Sequence, residues 1–389
     1  MAGSDPRTTM RTATMFLVLA VAGLLTFGMV MLYSSVLYGG DHSFLIKQLI
    51  WSALGFLLCM MMALSDYRLL KTWFWAPLLL SVTLLGLVLH PEFGSRINGA
   101  RRWFVVEGFS FQPSEVTKLA LIIFIAWYGD RYRRFIPEFW RGLVVPGLVI
   151  GTILGLIFVE PDRGTTVLLA AVSVVMLMVA GARWRYVIPI LVTGTTSLAI
   201  SLISDPIRSE RLKAWLNPEA MKDGVGYQVW LSLLALGSGG VEGLGLGNGR
   251  QKLGFLPLKE SDFIFAIIGE ELGLVAGLAV IMAFVALIIA GVFIAAKARD
   301  NFGFLLGTGI TFLLGFQAFI NIGVVTNTLP NKGLALPFIS YGGSSLLMML
   351  VSVGVLMSIA RGGHEESDSS ARVDSDQFLS ELETVGAVS

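Results

Sequence analysis

Apolar runs of about twenty residues, separated by short polar links, decide what this chain can fold into. An α-helix needs that many residues to cross the ~30 Å hydrocarbon layer of a bilayer. The sequence holds ten such runs, at about residues 13–35, 46–65, 72–90, 114–130, 143–159, 164–181, 185–203, 263–295, 303–328 and 338–360. The run from residue 263 is longer than one crossing needs, so it tilts or begins outside the bilayer. Hydrophobic residues make up 55% of the chain and charged residues only 14%, a balance foreign to soluble globular domains. The fold class is therefore all-α: a polytopic integral membrane protein with about ten transmembrane helices and one large polar loop, residues 204–262, between the seventh and eighth.

The same composition excludes several function classes. A net charge of +1 leaves no basic surplus for nucleic acid. Cys59 is the single cysteine and sits within an apolar run, so there is no disulfide framework and no thiolate metal cluster. His42, His90 and His364 are far apart in sequence, which argues against a histidine zinc site. Arg7 and Arg11 precede the first apolar run, and no small-residue cleavage site follows it; the run reads as a retained span.

Ten spans put both termini on one side. The short links on that side carry Arg68 and Lys71, then Arg131, Arg133, Arg134 and Arg141, then Arg183 and Arg185, then Lys297 and Arg299. Short basic links mark the cytoplasmic face. The expected organisation is a cytoplasmic segment at 1–12, a transmembrane domain at 13–361 with its large extracytoplasmic loop, and an acidic cytoplasmic tail at 362–389. With Glu365, Glu366, Asp368, Asp374, Asp376, Glu381 and Glu383 and few apolar residues, that tail is expected to be disordered.

The polar residues on the outer side fall into clusters. Arg101, Arg102 and Trp103 follow a turn-forming Gly-Ser-Arg-Ile-Asn-Gly stretch; they suit an anionic pyrophosphate headgroup and equally suit interfacial anchoring. Pro113 and Ser114 read as a helix start that sets Glu115 and Lys118 one turn apart, either as a mutually neutralising pair or as a phosphate contact with its positioning acid. In Glu160-Pro161-Asp162-Arg163-Gly164, Asp162 serves a helix cap or a cavity rim. The large loop adds Arg208, Arg211 and Lys213, a 229–236 apolar piece too short to span, and a glycine-rich run up to Lys252. Such backbone is tolerated at membrane depth where it lines a protein cavity. The glycines match neither a Walker nor a Rossmann pattern.

The loop ends at Leu256-Pro257-Leu258-Lys259-Glu260-Ser261-Asp262. An acid where a polar loop re-enters lipid is costly, so Asp262 is a candidate for chemistry, although an acid there also caps a helix well. Glu270 and Glu271 further along imply that one side of this helix faces protein or water. A last outer segment, from Asn327 through Pro337 to Ser340, Gly342 and Gly343, reads as closing the same cavity.

Six stretches in order, GARRWF, FQPSEVTKLA, EPDRGTT, GYQVWLSLLALGSGG, SDFIFAIIGEELGL and LPFISYGGSS, make residues 13–361 resemble the SEDS family of shape, elongation, division and sporulation proteins. The glycine-rich stretch and the 321–347 stretch resemble the division-type rather than the elongation-type members. The resemblance implies a peptidoglycan glycosyltransferase that polymerises lipid II and releases undecaprenyl pyrophosphate, at the septum in the bacterial cytoplasmic membrane. It implies as partners a class B penicillin-binding protein, other division membrane proteins, the lipid-linked glycan strand and membrane lipids. It assigns Asp262 the essential aspartate position. Family members commonly carry Glu after the Pro and Thr before the Asp; here Leu258 and Ser261 stand there, with Glu260 between them.

On this reading Asp262 is the general base, and Arg101, Arg102, Glu115, Lys118, Asp162, Arg211, Lys252 and Ser340 contact substrate. The cations offset charge on the leaving pyrophosphate, a task that a divalent cation can share. The alternatives are a lipid II flippase, which would show internal pseudosymmetry, an elongation-type polymerase, and a non-catalytic division scaffold.

Overall fold

The computed structural model describes residues 6–37, 43–97, 100–106, 109–204 and 206–363. The acidic residues of the tail, His42, His364, Asn98 and Gly99 lie outside these, as do the side chains of Arg7 and Arg208. Every apolar run of the sequence is helical. They form α1 (Pro6–Val36), α2 (Ser43–Leu64), a short α3 (Arg68–Thr72) leading into α4 (Trp75–Leu89), and α5 (Pro113–Arg131). A π-helical turn at Trp140–Val144 runs into α6 (Val145–Val159), followed by α7 (Arg163–Val179) and α8 (Trp184–Ser204). The 204–262 loop itself contains α9 (Pro206–Leu216) and α10 (Tyr227–Gly239), and α11 (Ile264–Ala296) and α12 (Asn301–Val325) follow it. The described residues end in α13 (Gly343–Gly363).

Among the described residues six helices are long and apolar enough to cross a membrane: those at Met10–Val36, Ser43–Leu64, Trp140–Val159, Ile264–Ala296, Asn301–Val325 and Gly343–Gly363. Helices α4 and α7 are shorter apolar helices. The α12 and α13 spans are 67% and 72% buried, against 17% for α2; α12 and α13 are therefore central and α2 faces lipid along most of its length. The tenth helix begins at Gly343 rather than 338. Residues 329–342 are irregular, because Pro337 cannot continue a hydrogen-bonded helix and Phe338 takes a left-handed φ of 65°. The start of α1 and the end of α13 meet: a Cβ on Gly363 would touch Met10 and the Lys297 carbonyl.

One element was not foreseen in the sequence. Residues 95–111 form a three-stranded antiparallel sheet of β1 (Ser95–Ile97), β2 (Ala100–Val106) and β3 (Phe109–Phe111). The pairing runs Ile97 with Ala100 and Arg96 with Arg101, then jumps to Ser95 with Trp103. Arg102 is thus the extra residue of a β-bulge, a device that re-aims a side chain.

Helix α11 resolves the problem of its own length. At 33 residues it would be about 50 Å long if straight, but Gly273 has φ 72° and ψ −169° and breaks it. The glycine-rich run satisfies the backbone freed there. Leu244 and Gly245 donate to the Glu270 and Glu271 carbonyls at 3.0 and 2.8 Å, and Leu274 donates to Gly240 at 3.0 Å. The first segment of α11 is sheathed by α10 so closely that a Cβ on Gly239 would sit 1.9 Å from the Gly269 carbonyl oxygen.

Only glycine commonly adopts the Gly273 backbone conformation, and a Cβ there would lie 2.3 Å from the Val241 carbonyl oxygen. Gly273→Ala is expected to destabilise the protein by more than the ~1 kcal/mol range of ordinary glycine substitutions, read as a lowered melting temperature in detergent. Gly151→Ala in α6, where a new Cβ meets nothing within 4 Å, should hold or raise it.

Candidate functional site

Asp262 ends a run of tight turns in which Leu258, at φ 55°, accepts from the amides of Ser261 and Phe263. The N-cap of α11 is Phe263, and no side chain caps that helix. The Asp262 carboxylate is thus not a helix cap, and no hydrogen bond or ion pair engages it among the described residues. Its backbone, by contrast, is gripped from two sides. The Asn321 side chain of α12 donates to the Asp262 carbonyl at 2.8 Å and to the Leu334 carbonyl at 2.6 Å. Ser340 donates its hydroxyl proton to the Ser261 carbonyl at 2.6 Å while accepting from the Leu336 amide at 2.8 Å. The Tyr341 amide donates to the Glu260 carbonyl at 2.8 Å. The carboxylate itself rests against Gly333, where a Cβ would lie 2.8 Å from Oδ2.

A second group of side chains comes from the sheet and from the α5 and α7 starts. Asp162 is the N-cap of α7, accepting from the Thr165 amide at 3.1 Å and its hydroxyl at 3.0 Å. It also accepts from Gln112 Nε2 at 2.9 Å and faces Arg102 Nη1 at 3.8 Å. Of the two alternatives in the sequence, the helix cap is the one these contacts show. The bulge at Arg102 is what turns its guanidinium toward these acids.

The two groups share an electric field. Asp262 is pushed up to about 6, chiefly by burial; Arg102 lowers it and Asp162 raises it. Glu160, which sequence reasoning passed over in favour of Asp162, is fully buried with neither carboxylate oxygen hydrogen-bonded. Burial and Asp162 push it up to about 8, against the pull of Arg102. Its signal was an acid placed directly at the end of an apolar run and followed by Pro161.

Other candidates are placed differently. Lys118 bonds both oxygens of Glu115 at 2.8 and 2.9 Å and Gln317 Oε1 at 2.9 Å, and both charged residues are buried. Lys252 is also buried, its ammonium 2.6 Å from Glu271 and 3.0 Å from the Ser34 hydroxyl; its charge is spent tying the loop to α1 and α11 rather than offered to a ligand. Arg101 is half-buried and Arg211 exposed on α9. The α9 end is docked on α12 through Trp215 Nε1 donating to the Asn327 carbonyl at 3.0 Å. Among the described residues no group of three or more His, Cys, Asp or Glu side chains is arranged to hold a metal ion. What the arrangement offers is one half-buried carboxylate, ionised near neutral pH, beside an arginine able to face developing negative charge.

A family model described as "Cell cycle protein", covering the FtsW, RodA and SpoVE proteins, matches residues 12–365. The probable peptidoglycan glycosyltransferase FtsW of Trichlorobacter lovleyi is 40% identical over 352 residues, covering 89% of this chain and 92% of that protein. The stage V sporulation protein E of Bacillus subtilis is 38% identical, covering 91% and 99%. Among solved structures, a chain from a peptidoglycan synthase complex that coordinates polymerization and crosslinking aligns with a TM-score of 0.74 at 28% identity, covering 89% of this chain and 97% of its own. The rod shape determining protein RodA of Thermus thermophilus aligns at 0.65 and 27%, covering 89% and 95%.

Glu160 gives the folded state a proton that the unfolded chain, ionising at its ordinary 4.5, does not hold until far lower pH. Its stabilising contribution is therefore complete below that ordinary value and lost as pH rises toward about 8. Melting temperature should fall across this window, and Glu160→Gln should flatten the fall; an unchanged slope in the variant would contradict the neutral, buried carboxyl.

Proposed function

The chain belongs to the FtsW/RodA/SpoVE family of cell-cycle proteins, and from that premise we propose that it is a division-type peptidoglycan glycosyltransferase that polymerises lipid II. The observation that carries the reaction is the Asp262 carboxylate: half-buried, raised toward neutrality, and held by its backbone while the side chain stays unengaged. A general base works best when its pKa lies near the operating pH.

In the reaction, Asp262 takes the proton from the attacking sugar hydroxyl of lipid II as that oxygen bonds to the anomeric carbon of the lipid-linked strand. The bond from that carbon to the pyrophosphate oxygen breaks, and its electron pair leaves with undecaprenyl pyrophosphate. Arg102, with Arg101 and exposed Arg211, faces the charge that develops on the leaving group, an electrostatic contribution often larger than proton transfer. The Arg102 contact with Asp162 is long, at 3.8 Å, which leaves the guanidinium available to a phosphate. Glu115, Lys118, Asp162 and Ser340 support the wall of this site. Buried Lys252 serves the fold beneath it.

The protein sits in the cytoplasmic membrane at the septum, with both termini cytoplasmic and the Asp262 face outside. Its partners are a class B penicillin-binding protein, which crosslinks the product, and other division membrane proteins. The transmembrane domain at 13–361 carries the activity, and the tail lies on the cytoplasmic side.

The test is polymerisation of labelled lipid II by the purified protein with its partner. Asp262→Asn and Asp262→Ala should each lose a factor of about a hundred to ten thousand; glycan chains made at wild-type rate by either variant would remove Asp262 as the base. Lipid II movement across the bilayer without polymer would support the flippase instead. In the wild type, activity should fall as pH drops through about 6. Because Arg102 lowers the Asp262 value, Arg102→Gln should shift that acid limb to higher pH.

A further inference from the structure

At the end of the bundle opposite Asp262, four chain segments converge around a cleft. Helices α2 and α13 both start near Asp262, where Gln48 of α2 donates to the Ser340 carbonyl ahead of α13 at 3.2 Å, and both finish at the far end. There they meet the α3 start and the α11–α12 link. The cleft is open to the surface and is lined by Asp66, Tyr67, Arg68, Arg299, Ser358, Arg361 and Gly362. Three arginines against Asp66 and against Asp300, which pairs with Arg68, leave a net charge of +1 around the cleft.

The walls are built from fixed parts. Arg68 Nε pairs with Asp300 Oδ2 at 3.0 Å, and Arg361 Nη2 donates to the Ser65 carbonyl at 3.0 Å. The Tyr67 amide donates to Ser358 Oγ at 3.0 Å, and Ser358 in turn donates to the Ser65 carbonyl at 2.5 Å. The Asp66 carboxylate is turned to the Arg68 amide, at 2.9 Å. Tyr67 is 4% exposed, its ring stacks on Phe302, and its hydroxyl lies against Arg68 and Asp300.

Depth identifies the ligand class. Exposed Trp73 and Trp75, their rings 5.6 Å apart, follow Arg68 within two turns, and exposed tryptophans mark the headgroup layer of a bilayer. Leu69 beside them is also exposed. Basic recesses between helix ends at that depth hold anionic headgroups. We propose that this cleft binds the phosphate of an anionic phospholipid, with the Arg68, Arg299 and Arg361 guanidinium groups around the phosphate oxygens and the acyl chains lying along α3.

The test uses the full-length protein in neutral detergent, titrated with phosphatidylglycerol, phosphatidylcholine or inorganic phosphate. Phosphatidylglycerol should raise the melting temperature and stay bound in native mass spectra, and phosphatidylcholine should do neither. Arg299 is exposed, so Arg299→Gln should fold normally and bind phosphatidylglycerol about fivefold more weakly, the usual effect of one basic residue at an anionic surface. Arg361→Lys, which keeps the charge but loses the fork, gives a second variant expected to weaken retention. Equal retention by the wild type and both variants would overturn the proposal, as would equal stabilisation by phosphatidylcholine. An equal shift with inorganic phosphate alone would overturn the lipid assignment in favour of a free anion.

Discussion

Asn321 spends one side-chain amide on two carbonyls, that of Asp262 and that of Leu334, and much of the outer half of the molecule depends on that bridge. Irregular backbone at membrane depth survives only where protein replaces the missing water. One turn earlier on α12, Gln317 does the same work, donating to the Ala335 carbonyl at 2.9 Å and accepting from Lys118. Residues four apart share a helix face. A single stripe of two amides on the most central part of the bundle thus fixes the 334–335 segment, the α5 ion pair and the 258–262 loop relative to one another.

The charges divide by how they are partnered. Lys118 with Glu115 and Lys252 with Glu271 are buried pairs. Such pairs recover through mutual attraction only part of the cost of leaving water, yet removing one partner strands the other. Their value is therefore positional: one pins the first turns of α5 to α12, the other pins the glycine-rich loop to α1 and α11. Glu160 and Asp262 are treated in the opposite way: among the described residues they are buried or half-buried without a donor, and Arg102 is the cation that offsets them. Strongly perturbed groups of that kind concentrate where chemistry takes place.

The spans were legible in the sequence because a bilayer imposes length and apolarity together, and Glu115 with Lys118 was legible because Pro113 fixes where α5 begins. Four features were not. The strands at 95–111 are short and arginine-rich, without apolar alternation, and the Asn98-Gly99 pair between Ile97 and Ala100 reads as a turn unless strands are looked for on either side of it. The break at Gly273 lies inside an apolar run that reads as unbroken helix; its cause is the distant 240–249 backbone, a tertiary contact without a local signal. Lys252 looked like a loop cation available to substrate, since a lysine among glycines carries no mark of the buried glutamate it will meet. Glu160 was visible as a residue, but its lack of a partner exists only in three dimensions.

The same distinction accounts for the residues around Asp262 that depart from the usual family pattern. Glu260 lies 3.9 Å from Lys259, while the charged groups that act on Asp262 are Arg102 and Asp162. Yet the loop keeps its shape, because it is held almost wholly through main-chain atoms. Tyr341 takes the Glu260 carbonyl, Ser340 the Ser261 carbonyl and Asn321 the Asp262 carbonyl. The Leu258 side chain is 41% exposed, so it is not part of that grip. A loop fixed by its carbonyls tolerates exchange of side chains at 258 and 261, and the position of the Asp262 carboxylate is set by Asn321, Ser340 and Gly333 rather than by its neighbours in sequence.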